Sequence, residues 1–242
     1  MRVSRAMKIK VNPSEVVRKS LVRINKIVYY PLKYKQGKGY DAEAYWRDRL
    51  RKYGMGFRGV GNEGLDEERN RIEYERSIRD FQLALLQAGI DLEGKRVLEI
   101  GVGNGFYTEF CAKDADFYCA VDITDVLFPE LSKRFPHVTF VKADVRNLRL
   151  EWEFDVILMI EVLQHIVNEK DLASAMVSIK YCLAKGGTLI IGPVQKKGKK
   201  HLFNVHFWGL DSIARYFEGY RIDEYLPFRG GSLLFIRNLE LQ

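Results

Sequence analysis

Val97-Leu98-Glu99-Ile100-Gly101-Val102-Gly103-Asn104-Gly105 places an acid two residues before three alternating glycines, directly after an apolar run that reads as a strand. Glycines at such a point permit a tight turn and let the backbone approach a ligand, and open α/β sheets bind ligands at the carboxyl ends of their strands. A dinucleotide fingerprint would need its third glycine at position 106, where the chain has Phe106. A second stretch, Gly59-Val-Gly61-Asn-Glu-Gly64, satisfies G-x-G-x-x-G to the letter, yet no strand precedes it, so it reads as a hinge or lid. Two further acids, Asp122 and Asp144, fall just past later apolar runs. Histidine is the natural base near neutral pH, and His165, His201 and His206 all follow the fourth or fifth run. Cys111, Cys119 and Cys182 are odd in number with no Cys-x-x-Cys spacing, so buried thiols are expected and no metal site is assigned.

The elements that must position these groups follow from periodicity. Short apolar runs at Val97–Ile100, Phe117–Val121, Val138–Val141, Val156–Ile160 and Thr188–Ile191 alternate with amphipathic helices. The clearest helix opens at Asn168, paired with Asp171 as in a capping box, and carries Leu172, Ala175, Met176, Ile179 and Leu183 towards Gly186-Gly187. Such alternation implies right-handed crossovers and a parallel sheet buried on both faces. After a helix near Leu210–Phe217, the runs Tyr220–Leu226 and Leu233–Ile236 are too close for a crossover, so the sheet should end in an antiparallel hairpin. The expected fold class is α/β: a Rossmann-like, doubly wound, seven-stranded and mostly parallel sheet with an N-terminal helical extension. In that extension Ser14 can cap a basic amphipathic helix to Tyr30, ended by Pro31. Helices at Asp41–Tyr53 and Asp66–Ala88 follow, separated by Gly54–Gly64, whose five glycines in eleven residues exclude regular structure.

The run Glu99-x-Gly101-x-Gly103-x-Gly105 resembles motif I of the class I S-adenosylmethionine-dependent methyltransferases, and the resemblance extends over residues 95–237, nearest to the small-molecule and quinone enzymes. It implies that Glu99, Gly101, Gly103 and Gly105 belong to the cofactor loop and that Asp122 accepts from the ribose hydroxyls. It further implies that Ile123 walls the adenine, that Asp144 accepts from the adenine amino group beside the Val145 amide, and that Ile160 leads to the methyl group. His165 and His206 match histidines that recur in that group and are the candidate catalytic bases. Met159-Ile160-Glu161-Val162 lacks the Asn/Asp-Pro-Pro-Tyr of amino-methylating enzymes, and no Pro-Cys supplies a nucleophile for cytosine, so both chemistries are disfavoured. On this reading residues 1–40 are a basic arm, 41–94 a helical cap or lid that includes Tyr45, Trp46 and Arg47, and 95–242 the cofactor domain.

Charge separates along the same lines. Residues 1–38 hold eleven Lys or Arg against one acid, Glu15, whereas the remaining residues hold 28 against 31. An arm this basic suggests an anionic contact: RNA, an anionic membrane surface, or an acidic acceptor, the last also suited to Lys196–Lys200. The expected acceptor is a small molecule, or one linked to a glycan or lipid, methylated on oxygen. RNA methylation and a membrane-associated pseudo-enzyme are the alternatives. No run of 18 apolar residues and no signal-like core occurs, so a cytoplasmic protein is expected, with peripheral membrane association open.

Overall fold

A computed structural model describes residues 20–239. Its centre is a seven-stranded sheet built from β1 (Arg96–Ile100), β2 (Phe117–Asp122), β3 (Thr139–Lys142), β4 (Phe154–Ile160), β5 (Leu183–Val194), β8 (Arg221–Phe228) and β9 (Gly231–Arg237). The spatial order is β3-β2-β1-β4-β5-β9-β8. The first five strands are parallel, and β9 joins β5 antiparallel, with β8 on its far side. The expected doubly wound sheet and terminal hairpin are therefore present.

Side chains alternate between two cores as a strand buried on both faces requires. Val97, Tyr118, Ala120, Val156 and Leu158 pack into one core, and Leu98, Cys119, Val121, Ile157 and Met159 into the other. Four helices inside the sheet region, α5 (Phe106–Cys111), α6 (Phe128–Arg134), α7 (Glu169–Cys182) and α8 (Leu210–Ala214), cover these faces. Asn168 caps α7 by accepting from the Asp171 amide at 3.0 Å. That helix stops at Cys182 and the chain enters β5 at Leu183, so Gly186 and Gly187 lie within the strand rather than at the helix end. The three cysteines are buried and free.

Before the sheet come α1 (Tyr30–Tyr34), α2 (Ala42–Tyr53), α3 (Phe57–Val60) and α4 (Glu67–Ala88). Asp41 and Asp66 cap α2 and α4, and left-handed Gly89 closes α4. Two expectations here are corrected. Pro31 does not end the arm helix, which widens into a π-turn over Asn25–Tyr29 and resumes through Tyr34. The Tyr30 amide reaches back five residues to the Asn25 carbonyl, and the widened turn passes the chain into α1 with Pro31 in its first turn. The glycine-rich segment is also not wholly irregular, because Phe57–Val60 makes one helical turn. The part of the proposed arm helix before Ser20 lies outside the described residues.

The lysine-rich segment after β5 has a structure of its own. It forms a separate two-stranded ribbon, β6 (Lys199–Leu202) and β7 (Val205–Phe207), turning at Phe203-Asn204. Phe203 drives its ring among Tyr30, Tyr40 and Tyr45, at centroid distances of 6.1, 5.6 and 5.7 Å, and so pins the ribbon to the N-terminal helices.

Candidate active site

The carboxyl ends of β1, β2, β3 and β4 open into a cavity of about 1090 Å³ including its mouth, roofed from the other side by α2, α3 and α4. Gly101 and Gly103 form its floor at φ +81 and +53, conformations that side-chain-bearing residues adopt at a cost. A Cβ on Gly101 would overlap Val162 Cγ2, and one on Gly103 would stand 2.9 Å from Val60 Cγ1. The Gly101 and Val102 amides both donate to the Val121 carbonyl, at 2.8 and 3.2 Å, which fixes the turn against β2.

Asp122, at the end of β2, lines the cavity. One oxygen accepts from the Gly103 amide at 3.1 Å and the other from the Thr124 amide at 3.1 Å. Burial pushes its pKa up to about 6, opposed by the amides of Gly103, Thr124 and Ile123. Ile123, Val145 and Ile160 supply apolar wall. Asp144 also lines the cavity, but Arg146 grips its carboxylate: Nε donates to Oδ1 at 3.0 Å and Nη2 to Oδ2 at 2.5 Å, while Nη1 reaches Asp171 at 3.0 Å. A two-pronged grip of this kind fixes the carboxylate's plane.

His165 stands at the far wall, its ring edge-on to Trp46 with centroids 4.8 Å apart. Its Nδ1 lies 3.0 Å from the Asn204 carbonyl. A carbonyl only accepts, so Nδ1 carries the proton and Nε2 keeps its lone pair. Desolvation pushes the imidazole pKa down to about 4, so the ring is neutral at pH 7.

Three of the sequence-predicted residues lie outside the cavity lining. Glu99 shares the β1 face of Val97 by the two-residue alternation, and its carboxylate accepts from Thr108 Oγ1 at 2.6 Å and Tyr118 OH at 2.9 Å. Burial pushes its pKa up to about 7. Gly105 leads into α5 at φ +76, with Leu131 and Phe135 against it. His206 stacks on Trp208, centroids 3.9 Å apart and planes 8° from parallel. His201 lies beside Phe207 on the ribbon. Tyr45 is buried in the aromatic cluster, and Arg47 sits on the surface near Glu43; of that trio Trp46 lines the cavity.

Other cavity groups carried no motif signal. Glu161, at φ +61, is partly buried; desolvation raises its pKa while Arg229, 2.6 Å away, opposes the rise. Tyr107 OH stands 3.4 Å from the same carboxylate. Trp46, Leu50, Val60 and Tyr74 come from the roof helices. Among the described residues no cluster of His, Cys, Asp or Glu suits a metal ion.

The strand order and the glycine turn at the carboxyl end of β1 give a Rossmann-like α/β fold. Residues 97–187 match the family model described as the methyltransferase domain. Among curated relatives, the tRNA U34 carboxymethyltransferase of Pseudomonas savastanoi pv. phaseolicola (strain 1448A / Race 6) is 29% identical over 134 residues, covering 50% of this chain and 40% of the relative. The ubiquinone biosynthesis O-methyltransferase of Dechloromonas aromatica (strain RCB) is 25% identical over 134 residues, 53% of this chain and 56% of the relative. The chain thus spans about half the length of the curated relatives it matches. Among solved structures, the magnesium protoporphyrin IX methyltransferase of Synechocystis PCC 6803 with bound SAM shares the fold at TM-score 0.59 and 15% identity, over 83% of this chain and 98% of that one. The N-methyltransferase NodS of Bradyrhizobium japonicum WM9 with S-adenosyl-L-homocysteine does so at TM-score 0.53 and 20% identity, over 68% and 87%.

Proposed function

We propose that this chain is an S-adenosylmethionine-dependent methyltransferase that methylates a hydroxyl of a small molecule, or of a glycan- or lipid-linked acceptor. The observation that carries the reading is the floor of the cavity. Gly101 and Gly103 leave no room for a Cβ, and the Asp122 carboxylate they border is held by backbone amides at the end of β2. Those residues, with Ile123, Asp144 and Val145, would hold the cofactor. When bound it supplies an electrophilic methyl carbon and leaves as a neutral thioether. Residues 95–242 serve as the cofactor domain, and the helices of 41–94 as its cap.

Methyl transfer is an in-line displacement, so positioning the acceptor carries much of the rate. Trp46 and Tyr74 of the roof confine an acceptor against the strand ends. A hydroxyl must also lose a proton, and the Nε2 lone pair of His165 takes it as the new C–O bond forms and the S–C bond breaks. The Asn204 carbonyl then stabilises the imidazolium through Nδ1–H.

Calorimetric titration of the full chain with S-adenosylmethionine tests the central claim, and absence of binding at millimolar ligand would overturn it. Replacing His165 by Gln is expected to keep cofactor affinity and to cut kcat about 100-fold with a hydroxyl acceptor. An unchanged kcat would remove the base from the scheme. RNA methylation is the second reading, favoured by the basic arm and the tRNA-modifying relative. Binding of tRNA with a steep dependence on salt would favour it.

A further inference from the structure

The helix over residues 20–34 has one face bound into the molecule and one face bare. On the bound side, Tyr34 is buried and donates to Asp48 at 3.0 Å, Tyr30 donates to Glu63 at 3.0 Å, and Lys33 pairs with Asp48 at 2.8 Å. On the bare side Leu21, Ile24, Ile27, Val28, Tyr29 and Leu32 are all more than half exposed, up to 79% at Leu32. An amphipathic helix packed on a globular body ordinarily turns its aliphatic side inward. Here Tyr30 and Tyr34 face inward and the aliphatic residues, with Tyr29, face out, so the apolar surface is left for something else to cover.

We propose that this face seats the protein on the surface of an anionic phospholipid bilayer. Charge selects that partner. The apolar face lies within a segment of eleven Lys or Arg and a single acid, while the rest of the chain carries a slight negative excess. A bilayer interface offers both halves of the match: acyl chains for the Leu and Ile side chains and anionic headgroups for the cations. A nucleic acid would match the cations alone. No described helix is long and apolar enough to cross a membrane, so the helix lies in the interface plane. Its inward tyrosines contact Tyr45, beside the cavity-lining Trp46, and the anchor therefore sets the cavity close to the membrane. The inference goes beyond the methyl-transfer reading and holds or fails independently of it.

Flotation of the full chain with vesicles of phosphatidylglycerol and phosphatidylcholine, against vesicles of phosphatidylcholine alone, measures the contact. The chain is expected to float with the anionic vesicles, less so as salt rises. The triple variant Leu21→Gln, Ile24→Gln, Ile27→Gln is expected to bind at least about tenfold more weakly. Leu86→Gln, at a still more exposed leucine on α4, is expected to bind as the parent does. Equal binding to both vesicles, or undiminished binding by the triple variant, overturns the proposal. So does a parent dimer in sedimentation that the triple variant dissolves, because a second copy would then cover the face. Every substituted side chain points to solvent, so the thermal midpoint and the calorimetric response to S-adenosylmethionine should be unchanged. Lost flotation with intact cofactor binding isolates the anchor, and lost cofactor binding in the parent strikes the enzymatic reading alone.

Discussion

Gly101-x-Gly103-x-Gly105 and Gly59-x-Gly61-x-x-Gly64 are both glycine-rich, and they differ in what each glycine must do. All three glycines of the first stretch stand at positive φ, and the first two line the cavity. None of the three in the second adopts positive φ. There the need is for space: a Cβ on Gly61 would stand 2.5 Å from Asn70 Oδ1 and 2.8 Å from the Phe57 carbonyl. The two stretches meet, with Val60 over Gly103 and Asn104 donating to the Met55 carbonyl at 3.1 Å. One is a binding turn, and the other is the roof resting on it. A glycine pattern thus carries functional meaning only through the backbone conformation its flanking elements impose.

The largest effect that would test this contrast is at Gly101. Alanine there must adopt φ +81 and overlap Val162, which combines backbone strain with overpacking at about 4 kcal/mol in all. Chemical denaturation should show that loss, and cofactor binding should vanish. Gly64→Ala meets only Asn62 Oδ1, at 3.3 Å, and is expected to cost less than about 1 kcal/mol. Similar losses at the two sites would erase the distinction.

Next comes the roof's own anchor. Arg49 is buried, and its guanidinium donates to Tyr45 OH at 3.1 Å, to the Arg58 carbonyl at 2.9 Å and to the Gly61 carbonyl. Arg49→Met leaves those carbonyls without a donor and is expected to cost about 3 kcal/mol. Limited proteolysis should then cut first within 54–66. Cleavage no faster than in the parent would mean that the segment does not depend on this residue.

How far these regions could be read from sequence differs for physical reasons. Parallel strands buried on both faces are short apolar runs, and acids at their ends are conspicuous, so Asp122 and Asp144 stood out. Glu99 stood out equally, but the two-residue alternation turns its side chain towards Thr108 and Tyr118. Trp46, Val60 and Tyr74 reach the cavity only because α2, α3 and α4 fold back over the sheet, which no local pattern encodes. The reach of Arg146 to Asp171, 25 residues on, and the pairing of Glu161 with Arg229, 68 residues apart, are likewise tertiary. The β6–β7 ribbon carries no long apolar run, and its lysines drew attention only as a match for an acidic acceptor, although Phe203-Asn204 turns the chain between two paired segments.

A third and smaller effect separates the floor from the roof by pH. Asp122 has its pKa pushed up to about 6 by burial, so the folded form holds a proton that the unfolded chain has lost between about pH 4 and 6. Stability from this group therefore falls as pH rises through that window. Cofactor affinity should move the other way, because the ribose hydroxyls need the ionised carboxylate as acceptor. It should be full above pH 7 and decline as pH falls below 6. Asp122→Asn is expected to weaken binding by about 2 kcal/mol at pH 7.5 and to flatten the pH dependence. A variant that keeps the parent's pH profile in calorimetry would assign the titration to another group.

The smallest effect concerns the two candidate histidines, one in each kind of surrounding. His165 lines the cavity, whereas His206 lies flat against Trp208, whose indole N–H donates to the Ile166 carbonyl at 2.8 Å. That indole is buried, so the stacked imidazole covers a ring that already fixes the ribbon to the chain just after His165. His206→Ala should cost about 1 kcal/mol in thermal or chemical unfolding through the lost stack. With the ring outside the cavity, kcat should stay within about twofold of the parent. KM should rise only insofar as the ribbon loosens and the Asn204 carbonyl drifts from His165 Nδ1. A fall in kcat comparable to that of His165→Gln would mean that the ribbon closes over the acceptor during turnover and brings His206 to the reacting oxygen. The roof would then extend from the N-terminal helices to the far side of the sheet.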